Sequence, residues 1–363
     1  MRYGLRCTRC GAATRDYSSF RCHVCHSILE IEYSYASAKL PKNFRKQKIS
    51  TSKYLPFFPV ASIAASLGEG GTPLVRKSKI GAGSDLYLKM ETENPTNTFK
   101  DRGSVIEITK ALELNFSHVC CASTGNMGLS VAYYAKRHGI GATIFISSDA
   151  DRIKIKKIEA QGARTVMVKG DFNKALKEAE SFATRNKAFV CGDYHYRKEG
   201  QKSIGFEIAE QLGYEVPDYI FMPVGNATLI SSIYKSLREF RRFGLISRMP
   251  KLMGVQSKGC DPVVRAFEEG TDIAYMVPRT IADAIAVGYP TFGFECMRAL
   301  KETRGVAIAV SDDEIKDARK ELARNGVKAE AGGATAYAGF KAFSRNGRGL
   351  DGKRAVVIVS GNN

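Results

Sequence analysis

The stretch ENPTNTFKDRGS (residues 93–104) joins two segments of different periodicity. The preceding DLYLKME (85–91) alternates apolar and polar residues, which predicts a strand. The following VIEITKALEL (105–114) repeats its apolar residues at helical spacing. A strand that passes through a polar turn into a helix is the repeating unit of an α/β protein, and this turn contains a lysine, Lys100.

We expect Lys100 to lie in the first turn of the helix, because Thr96, Asn97 and Thr98 are residue types that favour helix N-termini. A cation at the positive end of a helix dipole is unusual. One interpretation is that Lys100 extends to water and pairs with Asp101. The other is that the pKa of its amine is lowered, as a nucleophilic lysine that forms a Schiff base requires.

The length and composition predict an ordinary globular protein. The chain has 363 residues, of which 44% are hydrophobic and 25% are charged, and this length suggests two or three domains. It has no run of about 18 apolar residues, so we expect no membrane-spanning segment. The opening MRYGLRCTRC lacks the apolar stretch of a signal peptide, and we therefore expect a cytoplasmic location.

The net charge of +18 raises the question of nucleic-acid binding. The basic residues are scattered along the chain, without a long basic tail or an aromatic–basic repeat, which argues against a nucleic-acid partner. A positive surface could instead attract anionic metabolites.

Four of the nine cysteines form one pattern, CTRC with Cys7 and Cys10 followed by CHVC with Cys22 and Cys25. Two such knuckles separated by eleven residues suit a tetrahedral Zn²⁺ site in a zinc ribbon. Four cysteine ligands leave no open position on the metal, so the zinc would be structural. Free or redox-active thiols are the alternative. The other five cysteines lie mostly in apolar surroundings that suggest core packing.

From the ribbon onward, strand and helix patterns alternate to the C-terminus. This alternation predicts an α/β protein with mostly parallel sheets, in which ligands bind at loops beyond the carboxyl ends of strands. Three such loops contain suitable groups. ASTGNMG (122–128) carries the amide of Asn126, PVGNATL (223–229) offers an anion-binding turn before a helix, and VSGNN (359–363) places the hydroxyl of Ser360 after the last strand.

An amine, an anion-binding loop, an amide and a hydroxyl are the groups that pyridoxal phosphate needs. The chain resembles the fold-type II pyridoxal-phosphate enzymes, the tryptophan synthase β-like group, and within them the threonine synthase family most closely. The resemblance runs from the cysteine knuckles to the last strand. Its motifs are GEGGTPLV (68–75), ENPTNTFKDRG (93–103), ASTGN (122–126), YRKEGQKSIGFEIAEQLG (196–213), PVGNATLISSIYK (223–235), GVQSKG (254–259), TIADAIAVGYP (280–290) and VSGNN (359–363).

The resemblance implies roles for particular residues. Lys100 would be the Schiff-base lysine and main proton carrier, Asn126 would bond the cofactor's ring hydroxyl, and Ser360 would face its ring nitrogen. The phosphate would be held by Gly225, Asn226, Ala227 and Thr228. Substrate-binding positions would be Ser123, Thr124, Asp193, Arg197 and Lys202. The implied reaction, that of a carbon–oxygen lyase, converts O-phospho-L-homoserine and water to threonine and phosphate, and a homodimer is usual for the family.

The chain also departs from the family's pattern. Gly192 and Asp193 stand where an Asn–Ser pair is usual, and Asn97 stands where glycine is common. An aspartate near a substrate phosphate would repel it unless the carboxylate pairs with Arg197 or an amine. A related β-replacement enzyme, such as a cysteate synthase that uses O-phosphoserine and sulfite, or another amino-acid lyase, is therefore an alternative. An inactive scaffold that binds nucleic acid through its basic surface is the non-enzymatic alternative.

The predicted domain organisation has three parts. A zinc ribbon occupies residues 1–35, a large cofactor-binding domain comprises 36–104 and 201–363, and a small domain that closes over the substrate comprises 105–200. We expect a small anionic amino acid as the substrate.

Overall fold

The computed structural model describes residues 2–35, 39–123, 125–147, 152–170, 172–345 and 350–363. Its strands are β1 (Tyr3–Cys7), β2 (Ala13–Thr14), β3 (Leu29–Tyr33), β4 (Leu74–Arg76), β5 (Asp85–Met90), β6 (His118–Ala122), β7 (Gly141–Ser147), β8 (Arg164–Val168), β9 (Phe189–Cys191), β10 (Tyr219–Pro223), β11 (Lys251–Ser257), β12 (Val306–Val310) and β13 (Arg354–Val359).

The helices are α1 (Lys100–Glu113), α2 (Asn126–Arg137), α3 (Arg152–Glu159), α4 (Phe172–Asn186), α5 (His195–Gln201), α6 (Ser203–Gln211), α7 (Thr228–Arg242), α8 (Pro262–Glu269), α9 (Gly293–Glu302), α10 (Asp312–Arg324) and α11 (Ala331–Arg345). Short 3₁₀ helices cover Phe44–Lys46, Thr51–Phe57, Ser78–Ile80, Glu91–Glu93 and Asp283–Ile285. Among the helices described, none is long and apolar enough to cross a membrane.

The predicted fold class is confirmed: strands and helices alternate, and the two larger sheets are mostly parallel. The strand predicted before residue 93 is β5, and the helix predicted after residue 104 belongs to α1. Parallel strands need crossover connections, and each helix between two strands provides one. This is why the periodicity of the sequence identified the fold.

The chain forms two compact units, Met1–Gly71 with Lys100–Ser203, and Thr72–Phe99 with Ile204–Asn363. We call them the first and second unit. The boundaries fall near those predicted for the large and small domains, but the first unit also includes the ribbon and the segment that follows it. The predicted division into three domains, including closure over a substrate, stays a prediction.

The first unit contains two sheets. The cysteine-rich segment forms the antiparallel sheet β2-β1-β3, and a parallel sheet has the order β8-β7-β6-β9. Strands β6 and β9 are apolar and almost fully buried, as expected of parallel strands covered on both faces. Their carboxyl ends lead into the loops that begin at Ser123 and Gly192.

The second unit is built on one six-stranded sheet with the order β12-β11-β10-β13-β5-β4. All its neighbouring strands are parallel except β4, which is antiparallel to β5 at the edge. Helix α11 packs its buried face against the central strands, and the resulting core includes Phe221, Tyr337 and Phe340. The carboxyl ends of β10 and β13 lead into the predicted loops at Gly225 and Ser360.

Helices α1 and α5 of the first unit approach each other closely because small residues lie at their contact. A Cβ atom added at Gly200 would lie 1.9 Å from the Arg102 carbonyl oxygen, and one added at Gly103 would lie 2.5 Å from Cγ of Arg197. Neither distance is compatible with a side chain unless the helices move apart. These glycines therefore set the distance between the two helices that carry Lys100 and Arg197.

We expect Gly200→Ala to destabilise the protein by about 2 kcal/mol or more, because the added methyl group overpacks a contact with backbone. Urea unfolding of the purified variant measures this. Gly4→Ala is the matched control, since a Cβ added at Gly4 would meet nothing within 4 Å beyond its chain neighbours. Equal unfolding midpoints for the two variants would contradict the role assigned to Gly200.

Candidate active site

Helix α1 begins at Lys100, which confirms that this lysine lies in the first turn. The residues just before it are held by the end of the last strand: the Phe99 N–H donates to the Ser360 carbonyl at 3.0 Å, and the Asn362 N–H donates to the Asn97 carbonyl at 3.0 Å. Asn97 has a φ of 54°, in the left-handed region that asparagine and glycine tolerate best. An asparagine can therefore replace the glycine that is common at this position.

The Lys100 amine lies 3.8 Å from the Asp193 carboxylate, and the Lys100 side chain is only 17% exposed. The interpretation in which Lys100 extends to water is therefore wrong. Burial lowers the pKa of the Lys100 amine, while the Asp193 carboxylate opposes this and the Arg197 guanidinium adds to it. A lowered pKa makes the neutral, nucleophilic amine available at a lower pH than in an exposed lysine.

Arg197 is fully buried and directed at protein groups. Its guanidinium forms an ion pair with Glu107, and it donates to the Ser104 hydroxyl at 3.2 Å, the Lys100 carbonyl at 3.0 Å and the Gly192 carbonyl at 3.1 Å. Four of its five N–H groups are thus used within the first unit. The predicted role of Arg197 as a substrate partner is untested by these contacts and stays a prediction.

Lys202 is likewise fully buried, and its amine forms an ion pair with Glu199 at 2.6 Å. It also donates to the Phe57 carbonyl at 2.8 Å. The Tyr33 hydroxyl, at the end of β3, donates to the same Glu199 carboxylate at 2.5 Å. Lys202 therefore connects α5 to the segment after the ribbon, and its predicted substrate contact also stays a prediction.

The loop after β6 contains the predicted position Ser123, and Asn126 is the first residue of α2; Thr124 lies outside the described residues. The Ser123 hydroxyl accepts hydrogen bonds from the N–H groups of Gly125 at 3.1 Å and Gly128 at 2.9 Å, so it caps the start of α2. The aliphatic end of Lys154 covers Gly125: a Cβ added there would lie 3.1 Å from Lys154 Cδ and 3.5 Å from its amine nitrogen. This loop combines a helix N-terminus with a nearby cation.

In the second unit, the loop at Gly225–Thr228 leads directly into α7, which has 15 residues. Ala227 adopts a left-handed conformation with a φ of 63°, and Asn226 accepts hydrogen bonds from the backbone and side chain of Thr291 at 3.3 and 3.1 Å. Gly225 has no room for a side chain, since its Cβ would lie 3.0 Å from Ile285 Cα. The first N–H groups of a helix lack partners within it and bind anions well.

These groups fit pyridoxal phosphate in chemical type. The first unit provides a largely buried amine, Lys100, whose pKa is lowered, and a polar loop with Asn126. The second unit provides a tightly packed turn at a helix N-terminus and Ser360 after β13. The role of each residue toward the cofactor remains a prediction.

The four predicted metal ligands, Cys7, Cys10, Cys22 and Cys25, are brought together. Their sulfur atoms all lie within 4.8 Å of one another. The N–H groups of Arg9 and Cys10 point at the Cys7 sulfur, as around the thiolates of a metal knuckle. The arrangement fits a tetrahedral metal site in ligand type and number.

The sequence analysis missed two residues near the site. Glu107 pairs with Arg197 in the first unit, and Lys154 covers Gly125. A signal for Glu107 was available, because it interrupts the apolar run between Ile106 and Ile108 on a helix, and a buried acid requires a partner. Lys154 gave no signal, since it is one of several lysines in RIKIKK.

Glu107 makes the stability of the protein depend on pH. Burial raises the pKa of the Glu107 carboxyl to about 7, although the Arg197 charge opposes the shift. The folded protein then holds a proton that the unfolded chain releases, so this group's contribution to the free energy of unfolding falls as the pH rises from about 5 to about 7. In Glu107→Gln this contribution is absent, and urea unfolding at both pH values measures the difference.

Glu113→Gln, on the same helix, is the control, and it should keep the pH dependence of the unaltered protein. The same pH dependence in Glu107→Gln and the unaltered protein would contradict the raised pKa of Glu107.

Comparison with known proteins places the chain in a family. Residues 65–361 match the family model described as "Pyridoxal-phosphate dependent enzyme". The chain is 38% identical to threonine synthase from Methanosarcina acetivorans, over 93% of this chain and 86% of the relative. It is also 38% identical to threonine synthase from Methanocaldococcus jannaschii, over 98% of this chain and 91% of the relative. Maize serine racemase has a similar fold, with a TM-score of 0.71 and 23% identity over 80% of this chain and 88% of that one. The resemblance found in the sequence is confirmed, and the chain belongs to the family of pyridoxal-phosphate-dependent enzymes.

Proposed function

We propose that the protein is a threonine synthase, which converts O-phospho-L-homoserine and water to L-threonine and phosphate. The observation that carries this proposal is the 38% identity to proteins named threonine synthase over nearly the whole chain. Membership of an enzyme family favours this function over a nucleic-acid-binding scaffold. A homodimer and a cytoplasmic location stay predictions.

Lys100 would hold the cofactor through its amine. Asn126 would bond the ring hydroxyl, Ser360 would interact with the ring nitrogen, and the loop Gly225–Thr228 would hold the phosphate at the N-terminus of α7. Bound pyridoxal phosphate supplies an electron sink for negative charge that develops on the substrate. The largely buried amine of Lys100 would take up and return protons at Cα and Cβ of the substrate.

The loop after β6 receives the substrate carboxylate. Its support is the position of the loop at the N-terminus of α2, together with the nearby positive charge of Lys154. The positive end of a helix and an ammonium group both favour an anion at this position. A small anionic amino acid is therefore the class of substrate that suits the loop.

The test is an assay that measures phosphate release from O-phospho-L-homoserine and identifies threonine in the same sample. We expect both products at equal rates, and we expect Lys100→Ala to reduce the rate at least about 1000-fold, because it removes the covalent and acid–base group. Lys136→Ala, an exposed lysine on α2, is the control and should keep full activity. Phosphate release from O-phosphoserine with sulfite, without threonine from O-phosphohomoserine, would instead favour a cysteate synthase.

We also propose that Cys7, Cys10, Cys22 and Cys25 bind one structural Zn²⁺. The four sulfur atoms within 4.8 Å of one another support this, as does the antiparallel sheet β2-β1-β3 around them. Such a small sheet has little core of its own, and a metal would stabilise it.

Elemental analysis of the purified protein should find one zinc per chain. Cys10→Ser should lose the metal and lower the thermal unfolding midpoint, since one of four ligands is gone. Cys260→Ser, a cysteine of the second unit outside the cluster, should keep it. Protein that is purified without zinc, does not take it up and keeps its unfolding midpoint in Cys10→Ser would contradict a structural zinc site.

A further inference from the structure

Both peptide groups that flank Gly192 are held by one buried ion pair. The Gly192 N–H donates to the Glu107 carboxylate at 2.7 Å, and the Gly192 carbonyl accepts from the Arg197 guanidinium at 3.1 Å. Glu107 and Arg197 are themselves paired, and their side chains are at most 1% exposed. Gly192 has a φ of 153°, which is unfavourable for residues with a side chain. The turn is therefore held from both sides in a conformation that glycine permits.

The residue that this turn presents is Asp193, whose carboxylate lies 3.8 Å from the Lys100 amine. The same Arg197 that holds Gly192 also donates to the Lys100 carbonyl at 3.0 Å. One guanidinium thus holds the backbone on both sides of the Lys100–Asp193 pair. A shift of the turn by one or two ångström would change the attraction between the two charges strongly, because the pair is poorly exposed to solvent.

We propose that Glu107 and Arg197 are positioning residues that fix the Gly192 turn, so that the Asp193 carboxylate remains beside the Lys100 amine and controls its protonation. The inference rests on the proposed function in one respect, namely that the Lys100 amine binds the cofactor and transfers protons. The residues that are positioned, Gly192 and Asp193, depart from the family's pattern, since they stand where an Asn–Ser pair is usual. Glu107 has a second effect, because it balances the charge of Arg197 and limits the repulsion between that guanidinium and Lys100.

Several charged or titratable groups act on Lys100 in the first unit. Asp193 and Glu107 favour the protonated amine, as does Cys121 in its ionised form, whereas Arg197 opposes it. Removing Asp193 should lower the pKa of Lys100 directly. Removing Glu107 should lower it in two ways, by the loss of its own charge and by release of the Gly192 turn. Release of the turn can lower the pKa of Lys100 only when Asp193 is present. Comparing the effect of Glu107→Gln with and without Asp193 therefore distinguishes the positioning of the turn from the charge of Glu107 alone.

The experiment measures the protonation of Lys100 without substrate or turnover. The full-length protein, freed of bound pyridoxal phosphate, is labelled with trace acetic anhydride across a pH series, and mass spectrometry compares acetylation of Lys100 with that of exposed Lys79. Four proteins are compared: unaltered, Asp193→Asn, Glu107→Gln and the double variant. Glu113→Gln, on the same helix, is the control and should not move the labelling curve of Lys100.

We expect Asp193→Asn to move the labelling curve of Lys100 to lower pH by about 1 unit, the size typical of a close charge. Glu107→Gln should move it in the same direction. The double variant should move it by clearly less than the two single shifts added together, because Glu107 cannot position a carboxylate that is absent. If Glu107→Gln does not fold, Ser104→Ala removes one acceptor of Arg197 and should show the same coupling with Asp193→Asn.

Strictly additive shifts would overturn the proposal, since Glu107 would then act only through its own charge. An unchanged curve in Asp193→Asn would also overturn it. The proposed function fails separately: a protein that makes no threonine but shows the coupled shifts keeps the positioning role and loses only its assigned reaction.

Discussion

The buried ion pair between Glu107 and Arg197 is the interaction on which the arrangement around Lys100 depends. Removing two charges from water is costly, and such a pair is tolerated only when further hydrogen bonds satisfy both partners. Here Gly192, Ser104 and the Lys100 carbonyl provide them. Above about pH 7, where the Glu107 carboxyl is ionised, removal of either partner would leave a buried charge uncompensated, at a typical cost of about 3–5 kcal/mol. The pair therefore fixes α1, α5 and the turn after β9 as one arrangement.

The cysteine-rich segment is connected to the same helix α5. Tyr33 donates to Glu199 at 2.5 Å, and Glu30 pairs with Lys198 at 2.5 Å, so these two contacts from β3 are made within two residues of Arg197. Glu199 is fully buried, and its bond to Tyr33 has little competition from water. The ribbon is thus part of the support for α5 rather than an independent appendage within the first unit.

The fold and part of the candidate site could be predicted from local patterns in the sequence. The position of Lys100 followed from a strand, a polar turn and a helical repeat, and the cysteine cluster followed from spacing alone. The partners of Arg197 could not be predicted, because Glu107 and Arg197 are 90 residues apart and meet only when α1 packs on α5. Local sequence patterns predict individual helices and strands. The Glu107–Arg197 pair instead depends on the close packing of α1 on α5, which Gly103 and Gly200 permit. The acids beside Arg197 and Lys202, Glu107 and Glu199, could not be identified as their partners from the sequence, and the substrate contacts of the two cations stay predictions.

The position of Lys100 at a helix N-terminus is explained by the balance of charges around it. The helix dipole, burial and Arg197 all disfavour the ammonium form, and together they would keep the amine neutral over a wide pH range. A permanently neutral amine is a good nucleophile but a poor proton carrier, since it must also hold the proton that it removes. The Asp193 carboxylate, 3.8 Å from the Lys100 amine, raises the pKa of that amine and so restores part of its ability to hold a proton. If Lys100 has the proposed roles, the departure from the family's pattern is compatible with catalysis: the Asp193 carboxylate would set the compromise between nucleophile and proton carrier, provided that the Gly192 turn keeps it beside Lys100.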